Sequence, residues 1–373
     1  MSSSPPPLIE QLQRRAAHVP VTLILIGANV LVFAAMLVMG AGLWHSPNNI
    51  QLEWGANFGP ATKEGEWWRL GSALFLHFGL LHLTMNMLSL WDGGRLVERM
   101  FGPLRFVLIY FCAGLSGNLL SLIAQGDQAV SGGASGAIFG IYGALMAFLW
   151  HQRGQLDRSE FKWLFWGAVA FSIVTIVLGL LIPGIDNAAH IGGLIGGTLA
   201  GAVLIRPLEF DAPLGRGRWL AAATLAIGLI WLITHIPEPR YRWSEEVQAR
   251  GEIAEFISDD ARISARWGAI LGRAQKENAS FDEVAGRIEN EISNSYEQSF
   301  DDLSKLHLSP AAPSAAALAS VREYAEFRRD ASRALVEGLR AKDRVKIREA
   351  LEWASKVPQS VDGKKPAAAS SAP

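Results

Sequence analysis

The chain has 373 residues, of which half are apolar and 18% are charged, and its formal net charge at pH 7 is −1. This charge balance gives no basic footprint for a nucleic-acid partner. The single cysteine, Cys112, excludes an intrachain disulfide framework and a multi-cysteine metal site.

The charged residues are distributed unevenly along the chain. Residues 1–236 carry only 13 of its 34 Lys and Arg residues and 12 of its 35 Asp and Glu residues, so most charges lie in residues 237–373. One uniform soluble domain would not show this division. The pattern favours a membrane part followed by a water-soluble part.

Seven apolar segments of the first part are candidate membrane spans, at about 21–43, 70–91, 106–125, 135–150, 163–182, 188–205 and 219–236. Several approach the roughly 20 residues that a helix needs to cross the hydrocarbon core, whereas the fourth and seventh are short. The start of a short fourth span must lie below the membrane surface or be shielded by protein. The first segment is too long for a signal peptide and has no convincing cleavage site. The predicted fold is an all-α polytopic membrane helical bundle.

Lys and Arg residues near the ends of the spans predict the orientation. With the N-terminus inside, the inner segments hold eleven of these residues and the outer loops hold only Lys63 and Arg69. This bias places residues 1–20 in the cytoplasm, and seven spans then place the C-terminal region outside.

The outer loop from about 45 to 68 contains Trp54, Trp67 and Trp68. Tryptophan favours the membrane–water interface. The loop is therefore either partly embedded in that interface or an ordinary surface loop, and the sequence favours neither.

The charge-rich region, residues 237–357, shows helical spacing. We predict helices at about 243–277, 281–304, 314–340 and 342–357, forming a bundle or an interaction module. Ser280 and Glu283 have the spacing of a capping box. A linker and the seventh span, residues 207–236, precede this region, and we expect a disordered tail over 358–373.

Three groups of polar residues interrupt the apolar spans, and polar groups inside a membrane usually face protein or a wet cavity. His82 and Asn86 are four residues apart and share one helix face, whereas His77 points elsewhere. The pair either stabilises a developing oxyanion or bonds to neighbouring helices, and spacing alone favours the second explanation. For His77 we expect a structural role.

The second group is Ser131-Gly132-Gly133-Ala134-Ser135-Gly136, at the start of the fourth span. A serine at a helix N-terminus has unpaired N–H groups beside it, so Ser135 is either a nucleophile with its own oxyanion donor or a residue of an ordinary turn or N-cap. Most Gly-x-Ser-Gly matches are turns or caps.

The third group is Asn187-Ala188-Ala189-His190, at the start of the sixth span. A lone membrane histidine more often packs than catalyses. However, Gly193, Gly197 and Gly201 repeat every four residues, as Gly136 and Gly140 do in the fourth span, which lets two helices approach closely. If these faces pack, Ser135 and His190 meet as an activated nucleophile.

Taken in order, these motifs resemble those of the rhomboid family of intramembrane serine proteases. The resemblance covers residues 20–206 and runs through Glu66-Trp67-Trp68-Arg69, His77-x4-His82-x3-Asn86, Asp92-Gly93-Gly94 with Glu98 and Gly102, Gly133-Ala134-Ser135-Gly136, and Ala189-His190-x2-Gly193-x3-Gly197. It implies a six-helix protease core over residues 21–206 whose active site opens to the outside, with the seventh span beyond that core.

The resemblance also implies roles for individual residues. Ser135 would be the nucleophile and His190 the general base, and His82, Asn86 and the Ser135 backbone N–H would form the oxyanion hole. Glu66 and Arg69 would order the first loop. The supporting positions are His77, Gly133, Gly136, Phe139, Gly193 and Gly197.

Two further features refine this assignment. Phe139 stands where many family members have Tyr, so it keeps the stacking face and lacks the hydroxyl. Asp186 precedes His190 by four residues and is an uncertain partner for it, so we expect a Ser–His dyad. We expect no cofactor and no metal.

The leading hypothesis is a serine endopeptidase that cleaves peptide bonds in or next to transmembrane helices of protein substrates, near small residues. The alternatives are a non-catalytic membrane-helix binder or chaperone and a small transporter. The absence of an intramembrane acidic relay and of repeated halves disfavours the transporter. We expect a multi-pass protein of the bacterial inner membrane whose periplasmic C-terminal helices recruit substrate or contact a protein partner.

Overall fold

A computed structural model describes residues 7–205 and 215–355, so the predicted tail over 358–373 lies outside the described residues. Within these ranges the chain is helical and has no β-strand, and one isolated antiparallel bridge pairs Asn57 with Ser131. The chain divides into two compact units between Pro239 and Arg240. The predicted all-α polytopic helical bundle is confirmed.

The described helices of the first unit are α1 (Leu8–Arg15), α2 (Pro20–Val38), α3 (Asn48–Glu53), α4 (Gly59–Lys63), α5 (Arg69–Ser72), α6 (Leu80–Ser89), α7 (Arg95–Phe101), α8 (Pro103–Gln125), α9 (Ser135–Gln152), α10 (Arg158–Leu181), α11 (Asn187–Leu204) and α12 (Gly217–Thr234). Six long helices of this unit, α2 and α8 to α12, begin and end close to predicted apolar segments, whereas α1, α3, α4 and α7 lie outside them. A 3-10 turn, Ala73–Phe75, follows α5, and a π-helical turn, Leu90–Gly94, joins α6 to α7.

Five of these helices, α2, α8, α10, α11 and α12, are long and apolar enough to span a membrane, and the number is six if one bent pair counts as a span. Helix α9, which corresponds to the fourth predicted span, is not among them, although it has 18 residues like α11 and α12. Burial explains its composition, because most of its side chains face other helices and few need to match lipid.

The second predicted span, 70–91, is wrong as one continuous helix. Its two halves, Arg69–Phe75 and Leu80–Phe101, meet at 93°. The backbone is extended at Leu76, whose side chain is buried like those of its helical neighbours, so hydropathy does not reveal the break. His77 therefore lies in the break and not on α6.

Helices α9 and α11 pack through their glycines. A Cβ atom on Gly193 would overlap the carbonyl oxygen of Gly136, and one on Gly197 would overlap the backbone of Gly140. Small residues every four positions allow this approach. The contact brings the N-terminal turns of the two helices side by side.

A buried carboxylate anchors the start of α2. Glu98 of α7 accepts hydrogen bonds from the backbone N–H groups of Val21 and Thr22, at 3.0 and 2.8 Å, and from the Thr22 hydroxyl at 2.7 Å. A carboxylate at a helix N-terminus satisfies unpaired N–H groups and complements the helix dipole. The residues from α1 to the start of α2 and those of α7 therefore share one end of the unit.

The first loop lies at the other end of this unit. Lys63 of α4 forms an ion pair with Glu238, with 2.8 Å between Nζ and Oε1. Ile236 is buried in a cluster with Leu70, Leu119 and Leu122. The chain thus leaves the first unit beside the first loop, at the end opposite to α1.

The second unit is a helical bundle with its own apolar core. Its described helices are α13 (Trp243–Glu277), α14 (Phe281–Ile288), α15 (Asn294–Lys305), α16 (Ala315–Arg340) and α17 (Arg344–Ser355), with a π-helical turn, Glu289–Ser293, between α14 and α15. The predicted capping box is confirmed, because Ser280 and Glu283 exchange both hydrogen bonds.

Candidate active site

Two predicted catalytic residues meet where α9 and α11 begin. Ser135 is the first residue of α9, and His190 lies in the first turn of α11. The Ser135 Oγ and His190 Nε2 atoms are 3.0 Å apart, within hydrogen-bond distance. The close packing of α9 against α11 holds the pair, since both residues lie on rigid helical backbone and not on loops.

An aromatic ring positions the imidazole. Phe139, one turn after Ser135, stacks on His190 with 4.4 Å between ring centroids and 9° between ring planes. Phe171 of α10 contacts the Phe139 ring at 5.8 Å. Phe139 thus keeps the stacking contact with His190 without the hydroxyl that Tyr would add.

Asp186 serves the backbone and not the imidazole. Its Oδ1 atom accepts a hydrogen bond from the Ala189 N–H at 3.0 Å and caps α11. Its Oδ2 atom accepts bonds from the hydroxyls of Ser121 and Ser131, at 2.5 and 2.6 Å. The buried Nδ1 atom of His190 has no hydrogen-bond partner among the described residues. The arrangement is thus a pair without an acidic third member.

His82 faces Ser135 across a space that only glycine leaves open. The Phe78 N–H donates to Nδ1 of His82 at 3.4 Å, so the Nε2 side of the ring is turned away from its own loop. A Cβ atom on Gly133 would lie 2.9 Å from His82 Nε2 and 3.7 Å from Ser135 Oγ. A small group bound in this space would contact both side chains.

The remaining predicted residues of the second span lie around His82. Asn86, one turn further along α6, is buried, and its amide donates to the His82 carbonyl oxygen at 3.1 Å. His77 is fully buried and packs edge-on against the His82 ring, with centroids 5.0 Å apart. The geometry thus brings His82 to the serine, and His77 and Asn86 support it.

The first loop is held by its arginine. Arg69 is buried, and its Nε atom contacts Glu66 Oε2 at 2.5 Å. Its Nη1 atom donates to the carbonyl oxygens of Leu52 and Ala56, at 2.7 and 3.2 Å. One side chain therefore fixes the loop between α3 and α4.

Sequence reasoning missed the residues that connect this loop to the segment before Ser135. Asn57 and Ser131 form two backbone hydrogen bonds, and the Asn57 side chain donates to the Asn118 carbonyl oxygen. The Asn118 side chain in turn donates to the Leu70 carbonyl oxygen at 2.8 Å. A buried asparagine within an apolar span was the available signal, because such residues usually bond inside the protein.

Comparison with known protein sequences shows the family of this chain. The Rhomboid domain profile matches residues 64–207. The protein YdcA of Bacillus subtilis (strain 168) is 34% identical over 155 residues, which are 42% of this chain and 75% of YdcA. The chain belongs to the rhomboid family. Every motif residue from Glu66 to Gly197 of this rhomboid lies inside the matched range.

Two other relatives match this rhomboid over only part of their own length. The Rhomboid protease GluP of Bacillus subtilis (strain 168) is 31% identical over 261 residues, which are 70% of this chain and 48% of GluP. RHOMBOID-like protein 4 of Arabidopsis thaliana is 40% identical over 166 residues, which are 42% of this chain and 39% of the relative. The chain spans about half the length of these relatives. The family and the apolar helices together make this rhomboid an integral, multi-pass membrane protein.

Proposed function

We propose that this rhomboid is an intramembrane serine endopeptidase that cleaves peptide bonds in or next to transmembrane helices of membrane proteins. One observation carries the proposal: Ser135 Oγ and His190 Nε2 lie 3.0 Å apart on two tightly packed helices. A serine hydroxyl within reach of an imidazole is an activated nucleophile. The similarity to the Rhomboid protease GluP supports the same reaction class.

The reaction begins with attack of Ser135 Oγ on the scissile carbonyl carbon. His190 Nε2 takes the hydroxyl proton and then gives it to the leaving amine, which leaves an acyl group on Ser135. Water hydrolyses this ester when the same imidazole removes a proton from it. The substrate helix must unwind locally to expose its backbone, which favours small residues near the cleavage site.

The oxyanion is assigned to the space beside Gly133. His82 and Ser135 lie beside this space, which Gly133 leaves unfilled. We assign His82, the Asn86 side chain and the Ser135 backbone N–H as its donors. A preorganised donor of this kind typically contributes a factor of roughly 10²–10³ in kcat.

Among the described residues, no carboxylate is hydrogen-bonded to the imidazolium that forms during attack, because the oxygens of Asp186 are bonded to Ala189 and to two serines. The ring of Phe139, stacked 4.4 Å from the imidazole, is a group that stabilises this charge. A cation over an aromatic face gains about 0.5–2 kcal/mol, more when water is excluded.

For location we propose the bacterial inner membrane, with the N-terminus cytoplasmic and the C-terminal region periplasmic. The loop charges support this orientation. The ion pair between Lys63 and Glu238 supports it further, because the chain leaves the first unit at the end that holds the first loop.

We assign substrate recruitment or a protein-partner contact to the second unit. Its apolar core and capped helices support an independent module, which none of the proposed chemistry uses. If deletion of residues 240–373 leaves cleavage of every tested substrate unchanged, this assignment fails.

A serine-reactive fluorophosphonate probe tests the proposed function. We expect labelling of Ser135 in the full chain in detergent or vesicles, and loss of labelling in both Ser135→Ala and His190→Ala. Ser116→Ala is the matched control, because Ser116 lies on α8 and donates to its own helix at the Cys112 carbonyl oxygen. A folded protein that stays unlabelled at Ser135 would favour a non-catalytic helix binder.

A further inference from the structure

A groove opens at the end of the first unit opposite to Ser135. It is lined by α1, by the start of α7 and by the first turns of α10, and it encloses about 480 Å³. Ligand sites commonly have volumes of roughly 300–1,000 Å³. None of the chemistry proposed for Ser135 and His190 uses this space.

The groove has one basic wall. Arg95 and Arg99 lie one turn apart on α7, and both are half-buried. Each uses its Nε–H for a backbone carbonyl oxygen, Arg95 for Trp91 at 2.8 Å and Arg99 for Ala16 at 3.2 Å. Both side chains line the groove, and neither guanidinium forms an ion pair within the described ranges.

The polar lining also contains Gln13 and two carboxylates, one of which is hydrogen-bonded to the backbone of α1. Both carboxylate oxygens of Glu160 accept hydrogen bonds from the Leu8 N–H, at 3.1 and 3.2 Å, which anchors α1 as the groove's second wall. Asp92 accepts one hydrogen bond from the Tyr142 hydroxyl, at 3.3 Å, through Oδ2. Asp92 is exposed at the groove, so its other oxygen is accessible to a cation.

The outer edge of the groove is apolar and aromatic. Trp163 is 81% exposed on the first turn and a half of α10, and Leu164 follows it. In a membrane protein an exposed Trp at the start of a span marks the headgroup level, with lipid chains beyond it. A ligand in this groove therefore meets charge at one end and the hydrocarbon layer at the other.

We propose that this groove binds a phospholipid with a phosphoethanolamine headgroup. Arg95 and Arg99 bind the phosphate, Asp92 binds the ammonium group, and an acyl chain lies along Trp163. Guanidinium groups bind phosphate through paired N–H donors, and an ammonium group donates three hydrogen bonds to oxygen acceptors. The four charged side chains of the groove sum to zero, which matches a zwitterionic headgroup better than an anionic one.

The experiment is a lipid titration of the full chain in detergent, read by native mass spectrometry. The lipids are palmitoyl-oleoyl phosphatidylethanolamine and the corresponding phosphatidylglycerol, and sn-glycerol 3-phosphate serves as a soluble phosphoester. We expect the ethanolamine lipid to bind tightest and the soluble phosphoester not to bind. Arg95→Gln/Arg99→Gln should weaken ethanolamine-lipid binding by roughly tenfold or more.

Arg153→Gln is the matched control. Arg153 stacks on Trp150 and donates to its carbonyl oxygen, as Arg95 does with Trp91, but it lies outside the groove. We expect it to bind lipid as the unmodified chain does. Because Arg99 anchors α1, Arg95→Gln alone serves if the double variant does not fold, with an expected loss of about threefold.

Three results would overturn the proposal. The first is equal affinity for the ethanolamine lipid in the unmodified chain and in the folded groove variant. The second is an equal loss in Arg153→Gln. The third is equal or tighter binding of phosphatidylglycerol or of the soluble phosphoester. Because no arm measures cleavage or Ser135 labelling, the result is independent of the proposed function.

Discussion

The two units are both helical, yet different forces hold them together. Among the described residues, ion pairs number three in the first unit and eleven in the second. Both units bury large side chains, such as Phe148 in the first and Tyr296 in the second, but in the first unit α9 and α11 also meet backbone to backbone at Gly193 and Gly197.

The difference follows from the solvent. Lipid is as apolar as leucine, so helices in a membrane gain little by burying apolar side chains and associate through close packing and hydrogen bonds. In water the same burial is the dominant favourable contribution. Close backbone packing also explains how the first unit holds Ser135 and His190 within hydrogen-bond distance.

The largest predicted effect comes from a substitution that breaks the packing of α9 against α11. Gly197→Leu should cost about 3 kcal/mol or more of folding free energy, because its side chain would overlap the Gly140 backbone. The measurement is the yield of monodisperse protein in detergent and its thermal midpoint. Gly228→Leu on α12 is the control, because nothing lies within 4 Å of that position. Equal behaviour of the two variants would contradict close packing as the principal force.

The second prediction concerns a glycine whose replacement should lower activity without unfolding the protein. Gly133→Ala should lower kcat/KM by roughly 100-fold or more while the protein stays folded, because its Cβ would lie between His82 and Ser135. The measurement is steady-state cleavage of a transmembrane substrate. Gly126→Ala is the control, since Gly126 also has a positive φ but open space around it. Unchanged kcat/KM in Gly133→Ala would show that the oxyanion does not form in this space.

The third prediction concerns a buried charge in the second unit. Glu246 is fully buried and accepts hydrogen bonds from the N–H and hydroxyl of Ser314 and from Arg250 Nε. Glu246→Gln should destabilise α16 by about 2 kcal/mol, or roughly 30-fold in hydrogen exchange. The control is Glu245, which is half-buried and pairs with the exposed Arg242 at 3.8 Å, and Glu245→Gln should change exchange by less than about twofold. Similar effects of both changes would show that burial does not determine how much each carboxylate contributes to stability.

The smallest prediction is a pH effect at the capping box. Hydrogen bonds from the Ser280 N–H and hydroxyl lower the pKa of Glu283 below its ordinary value of 4.5. Its stabilisation is therefore present above that value and lost as the pH falls through the lowered pKa of the folded state. Exchange of α14 amides, corrected for intrinsic rates, should rise on acidification, and less so in Glu283→Gln, whose amide still accepts. An identical acid response in the variant would exclude this carboxylate as the cause.

Much of the fold was readable from the sequence, because hydropathy and capping are local. The apolar segments and the second unit's helices were predicted to within a few residues, as α13 at Trp243–Glu277 shows. The break in the second span was not predicted, because Leu76 is as apolar as a helical residue. The anchor from Glu98 to Thr22 was also missed, because it joins residues 76 positions apart.

The site could be predicted where the spacing of residues along a helix indicates which helix faces are in contact. Glycines every four residues predicted the approach of α9 and α11, and with it the meeting of Ser135 and His190. Spacing does not indicate which partners a side chain bonds to. The partners of Asp186, the Ala189 N–H and the serine hydroxyls, are therefore known only from the structure.

The most direct test of the account is cleavage of a transmembrane substrate in proteoliposomes that contain the full chain, Ser135→Ala or His190→Ala. We expect cleavage by the full chain alone, with both variants at background and each still folded by thermal midpoint. Full activity in both folded variants would contradict the assignment of the chemistry to this pair and, with it, to the first unit.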